Sequence, residues 1–173
     1  MPQPICFMIM PYGTKATQAD PSVGVANIDF NALWDRAYAP VIEGLGYKPI
    51  RADQDTNALI LSDMIRRLFF SDLVLADMTV PNGNVYYEVG VRHAAKRDGC
   101  VLLAADWSKP LFDLAQIRTI RYPLKEGAIN DFTATAISAA IKSPIEAFRR
   151  GDSPVFGSIR GYRPMLILPK QQQ

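Results

Sequence analysis

Histidine and cysteine are nearly missing: the 173-residue chain holds one His and two Cys. His93 alone excludes a multi-histidine metal centre and makes a poor case for a Ser-His or Cys-His nucleophile, so it reads as structural. Cys6 and Cys100 lie inside the apolar runs ICFMIM and CVLLAA, which suits reduced, buried thiols better than a disulfide framework or a metal site and predicts a cytoplasmic setting. No apolar run approaches the roughly 20 residues that span a bilayer. The N-terminus also lacks the basic region and apolar stretch of a secretion signal; neither insertion nor export is expected. An excess of one charge is lacking too. With 19 Lys+Arg against 17 Asp+Glu, a net +2, the chain has no nucleic-acid-coating surface. There is no G-x-G-x-x-G after the first apolar run and no G-x-x-x-x-G-K-[ST] anywhere, which excludes a standard dinucleotide fold and a P-loop. The paired acidic residues that a phospho-accepting receiver needs after its first strand are replaced by Pro11-Tyr12-Gly13.

What is present is an ordinary globular composition, 49% hydrophobic and 21% charged, at a length that suits one core. The pattern reads as one domain over 1–148 and a basic Gly/Pro-containing tail over 149–173. Ile5 to Met10, apolar on both faces and stopped by Pro11-Tyr12-Gly13, reads as a central parallel strand. Thr14 to Asn27 has no periodicity, and its length marks a functional or mobile loop that could close over a ligand. Asp29 or Asn27 can cap a helix through about Leu45, kinked near Pro40 and ended by Gly46. Strands follow at Tyr47–Ala52, Leu73–Ala76, Cys100–Ala104 and Ile117–Tyr122. Helices open at Thr56 or Asn57, run from about Val85 to Arg97, and run from Asn130 to Phe148 with a disturbance at Pro144. This alternation predicts an α/β fold with about five parallel strands and helices on both faces. In the tail, Arg149, Arg150, Arg160 and Arg163 read as a solvated basic segment rather than a nucleic-acid contact.

Open parallel sheets bind ligands beyond the carboxyl ends of their strands, where strand order reverses. That rule selects Tyr12 and Gly13 after the first strand, Asp53 after the second, and Asp77 to Glu88 after the third. Asn84 is placed to cap the helix it precedes, with Gly83 allowing a sharp turn before it. The first amides of that helix favour an anionic or carbonyl group of a ligand. Glu88 follows about one turn in; its plain alternative is an i,i+4 ion pair with Arg92. Asp77 either caps the next turn or addresses a ligand. Tyr12 could stack on a base, although tyrosines more often serve packing.

The segments MIMPYGTK, IDFNALWDRAYAPVIEGLGYKPIRADQD and SDLVLADMTVPNGNVYYEVGVRHA resemble the bacterial Toll/interleukin-receptor-like domains allied to nucleoside 2-deoxyribosyltransferases. Similar segments occur in proteins described as carrying a TRAFs-binding region. The resemblance spans roughly residues 4 to 124, and its most specific part is N-x-N-V-x-Y-E-x-G-x-R-H-A. It implies a flavodoxin-like (TIR-like) doubly wound sheet. It also implies an N-glycosidase in which Glu88 acts on the bond between a ribose and its base, with Tyr12, Gly13, Asp53, Asp77, Asn82 and Asn84 around the substrate. The transferases place an aspartate shortly before that glutamate, where this chain has Asn82 and Asn84; the departure argues against deoxyribosyl transfer. Breaking the C1′–N bond builds positive charge on the ribose, which a carboxylate stabilises. Nicotinamide leaves NAD as a neutral molecule and needs no proton, so NAD as substrate, with no further cofactor, suits a carboxylate-only site. The implied setting is bacterial antiviral defence and the implied state an assembly of copies of the chain. A non-catalytic nucleotide-sensing or self-assembling module and a deoxyribosyltransferase remain as alternatives.

Overall fold

The computed structural model describes residues 2–51, 60–109, 111 and 115–164. Strand β1 (Ile5–Ile9) leads into a short ribbon, β2 (Thr14–Ala16) paired antiparallel with β3 (Asn27–Asp29). Asp29 then caps a helix by accepting from the amides of Asn31 and Ala32. That helix runs as α1 (Phe30–Leu33), one π turn (Trp34–Tyr38) and α2 (Ala39–Gly44). The wide turn sits immediately before Pro40, which has no N–H to donate to the preceding turn and whose ring would crowd a regular one. Gly46, at φ +86°, ends the helix in a left-handed conformation that other residues resist.

The chain continues through β4 (Lys48–Arg51), α3 (Ile60–Phe70), β5 (Leu73–Asp77), α4 (Gly83–Ala95), β6 (Cys100–Ala105) and β7 (Thr119–Tyr122). It closes with α5 (Asp131–Lys142), α6 (Ile145–Arg149) and α7 (Pro154–Ser158). The expected parallel sheet is there, with strand order β4-β1-β5-β6-β7 and every pairing parallel. This is a flavodoxin-like doubly wound fold.

Two apolar layers enclose the sheet. Cys6, Met8, Leu73, Leu75, Val101 and Leu103 face the layer built from α1, α2 and α5, with Phe30, Tyr38 and Ile137 among its residues. The alternate residues Phe7, Ile9, Val74, Ala76, Leu102 and Ala104 face Leu68 of α3 and Val85 and Val89 of α4. Because side chains alternate along a strand, this division settles which face each strand-end residue can address.

The structure alters several expectations. Thr14 to Asn27 is no free loop: its ends form the β2–β3 ribbon, and Val25 and Ile28 are buried in the core. The last long helix is divided at Pro144 into α5 and α6. The described part of the tail lies against α4: Ser153 Oγ donates to the His93 carbonyl and Tyr162 Oη to that of Ala94. The expected starts of α3 at Thr56 or Asn57 lie outside the described residues. Among the described residues no helix is long and apolar enough to cross a membrane.

Candidate functional site

Strand order reverses between β1 and β5, and the segments following these two strands line that crevice. After β1, Tyr12 is 63% exposed with Lys15 Nζ 4.9 Å from its ring centroid. Gly13 turns the chain at φ +65° and donates its amide to Asn31 Oδ1 at 3.2 Å. The same oxygen accepts from Arg51 at the end of β4, at 3.0 Å, and that guanidinium also lies over the Trp34 ring. Asn31 and Arg51 thus join the crevice although the sequence reading passed them over. Arg51 had a signal, being the last residue of the second strand. Asp53, chosen instead, lies outside the described residues.

After β5 the cap assignment moves by two residues. Asn82, extended at φ −146° and ψ 118°, is the N-cap of α4; its side chain accepts from the amides of Asn84 and Val85. Asn84 sits in the first helical turn and is exposed, and Gly83 is itself the first helical residue. With an Asn on either side of the glycine, the pattern permitted both registers, and the backbone geometry selects the first.

Asp77 and Glu88, expected in one cleft, are separated by the sheet. Asp77 follows Leu73 and Leu75 on the α1/α5 side, where it is fully buried. Its carboxylate accepts from Tyr38 Oη at 2.5 Å, Tyr122 Oη at 2.7 Å and the Thr79 amide at 2.8 Å. Thr79 Oγ1 contacts Tyr122 Oη at 2.8 Å and accepts from the Ala105 amide. Since the Tyr122 proton is directed at Asp77, Thr79 is the donor to Tyr122. Burial, outweighing the bonds from Tyr38, Thr79 and Tyr122, pushes the Asp77 pKa up, and burial followed by the Asp77 charge raises both tyrosines. The geometry makes Asp77 the acceptor that ties β5, β7 and the π turn together, with no exposed surface left for a ligand.

Glu88 lies on α4, which covers the other face, and is 8% exposed. Among the described residues its carboxyl has no hydrogen bond or ion pair, and burial alone raises its pKa from 4.5 to about 7. The i,i+4 pair with Arg92, the alternative reading of Glu88, does not form. Arg92 is completely buried and donates to the carbonyls of Leu68, Ser71 and Gly99, at 2.8, 3.0 and 3.0 Å. The Arg92 guanidinium thereby closes the end of α3 and the approach to β6, against a desolvation cost that lowers its own pKa.

A cavity of about 220 Å³ lies at the carboxyl edge, bounded by Gln18 and Asp20 of the ribbon, Thr79, Pro81, Trp107 and Lys109. Neither it nor a larger cavity at the opposite edge is lined by Glu88. The contacts thus join Gly13, Asn31 and Arg51 at the ends of β1 and β4, with Tyr12 beside Gly13 in the chain. Asn82 and Asn84 follow the neighbouring strand β5, and Glu88 lies further along α4.

Fold and strand order define the class, a flavodoxin-like doubly wound α/β protein. No protein-family model matches the chain, and no curated protein matches its sequence.

Proposed function

We propose that the protein is an N-glycosidase acting on NAD or a related nucleotide, with Glu88 as its catalytic carboxylate. The observation that carries this reading is the Glu88 carboxyl itself: nearly buried, without a partner among the described residues, and on the helix that follows the strand at the reversal point. A largely buried acid with no protein partner is costly to retain for stability alone, and such groups cluster at functional sites. In the reaction, the C1′–N bond breaks with its electron pair passing to nicotinamide, which leaves neutral. The ribosyl cation is stabilised by the Glu88 carboxylate and captured by water, whose proton passes to that carboxylate or to solvent. If an adenine nitrogen takes the place of water, the product is cyclic ADP-ribose. The Arg51 guanidinium is suited to the phosphates, whereas the Asn84 and Val85 amides at the start of α4 are taken by the Asn82 side chain. The resemblance supplies the setting, antiviral defence in a bacterial cytoplasm, with assembly of several copies completing the site.

The test is incubation of concentrated wild type and Glu88→Gln protein with NAD, following nicotinamide by chromatography. The expected outcome is release by wild type and a loss of at least about a hundredfold in the variant, the scale of removing one transition-state charge partner. Full activity in Glu88→Gln would end this mechanism. Binding of NAD without turnover at any protein concentration would instead favour the nucleotide-sensing module, and exchange with an added free base the deoxyribosyltransferase.

A further inference from the structure

We propose that the cavity at the amino-terminal edge of the sheet is a second small-molecule site, which takes a compact phosphomonoester such as a sugar phosphate or a nucleoside monophosphate. It encloses about 460 Å³, within the roughly 300–1,000 Å³ of small-molecule sites. Its walls are the last turn of α4, the start of β6, the residues leading into β7, and the segment from Phe148 through α7. Glu88 and His93 share α4 but stand about 140° apart around it, at about 100° per residue, so this cavity and Glu88 lie on different sides of the helix.

Two side chains point to a ligand. His93 is 7% exposed and lines the cavity, yet among the described residues its ring nitrogens make no hydrogen bond; only its backbone carbonyl is engaged, by Ser153. Burial and the neighbouring Arg92 hold its pKa down at about 4, so near neutral pH the ring offers one N–H donor and one acceptor nitrogen. Arg118 reaches the same cavity with its guanidinium 4.4 Å from the Phe148 ring centroid, and no carboxylate among the described residues pairs with it. A guanidinium held over an aromatic ring and not paired with a carboxylate has N–H groups left to receive phosphate oxygens.

The second arginine, Arg97, is already committed to Asp152 at 3.0 Å, which offsets that carboxylate. The Gln116 amide and the Ser158 hydroxyl add neutral donors on the rim, while Asp98 supplies an acceptor for a sugar hydroxyl. The frame is firm: the Ser153 amide donates to the Arg97 carbonyl at 2.6 Å and the Gly99 amide to that of Arg149 at 2.8 Å. One oxyanion receptor, one neutral donor–acceptor ring and one acceptor carboxylate supply the groups that a phosphate and sugar hydroxyls need.

Calorimetric titration of the whole chain with AMP, ribose 5-phosphate and inorganic phosphate tests this. The expected result is saturable, single-site binding of at least one phosphomonoester, weakened tenfold or more by Arg118→Gln and retained by Glu88→Gln. Gly157 lines the cavity, and a Cβ there meets nothing within 4 Å. Gly157→Leu should therefore fill the space and remove binding while the melting temperature stays within a few degrees of wild type. Binding that survives both Arg118→Gln and Gly157→Leu, equal affinity for inorganic phosphate, or no binding of either phosphomonoester at millimolar concentration would overturn the proposal. Loss of binding in Arg118→Gln, tested alongside nicotinamide release by the same variant, separates this outcome from the fate of the N-glycosidase reading.

Discussion

Asp77 is fully buried and Glu88 nearly so, yet their surroundings differ completely. Three donors converge on Asp77, whereas none among the described residues reaches Glu88. Removing the shared acceptor leaves two tyrosine hydroxyls and an amide buried without it, each costing about 1–3 kcal/mol where no water replaces the bond. Asp77→Ala is therefore expected to destabilise the protein by at least about 2 kcal/mol in urea unfolding. A midpoint indistinguishable from wild type would show that the network has no structural role. From the sequence the two residues looked equivalent, each an acid beside an apolar strand or helix. Strand alternation could have placed Asp77 with Leu73 and Leu75, but only the positions of Tyr38 and Tyr122, 39 and 45 residues away in the chain, show what meets it there.

At the scale of elements, the ribbon formed by β2 and β3 is the part least evident beforehand. Its strands have three residues each, too short to display an alternation, and its attachment is made by the later residue Trp107. A Cβ on Gly24 would lie 2.5 Å from Ala19 Cβ and 2.7 Å from the Trp107 ring, closer than packed atoms approach. The Trp107 indole N–H is meanwhile committed to the Leu124 carbonyl at 2.6 Å, so the ring is poorly able to retreat. Gly24→Ala should cost about 1–3 kcal/mol, as overpacking does. It should also shift the tryptophan emission to the red as Trp107 loosens, while Trp34, in the core, keeps its own. Unchanged emission and stability would mean that the ribbon yields easily and is no fixed wall of the carboxyl-edge cavity.

For the molecule as a whole, Glu88 links stability to pH. Below about 4.5 it is protonated whether the chain is folded or not; between about 4.5 and about 7 the unfolded chain ionises while the fold retains the proton. The native state then binds more protons, so this contribution falls as pH rises and is lost above about 7. His93, held down at about 4, acts in the opposite sense over part of the same range, so the difference between wild type and Glu88→Gln isolates the glutamate. The variant is expected to melt higher than wild type at pH 8, with the gap closing by pH 4.5; parallel melting curves across that range would show that the Glu88 carboxyl is not held out of water. The parallel sheet and the extents of most strands were legible in the sequence, because buried strands need continuous apolar runs and helices need periodic ones; the flavodoxin-like class was what the resemblance implied. Tyr12, Gly13 and the segment from Asp77 to Glu88 were chosen as candidates for the related reason that strand ends are marked by breaks in those runs. Other features were decided only by tertiary structure. The separation of Asp77 from Glu88, the recruitment of Asn31 and Arg51, the withdrawal of Arg92 into carbonyl capping and, among the described residues, the lack of a hydrogen bond to the His93 ring and of a carboxylate beside Arg118 all depend on residues distant in the chain. Periodicity reports only which side of an element is apolar, whereas partners for polar groups are chosen when the layers close on one another.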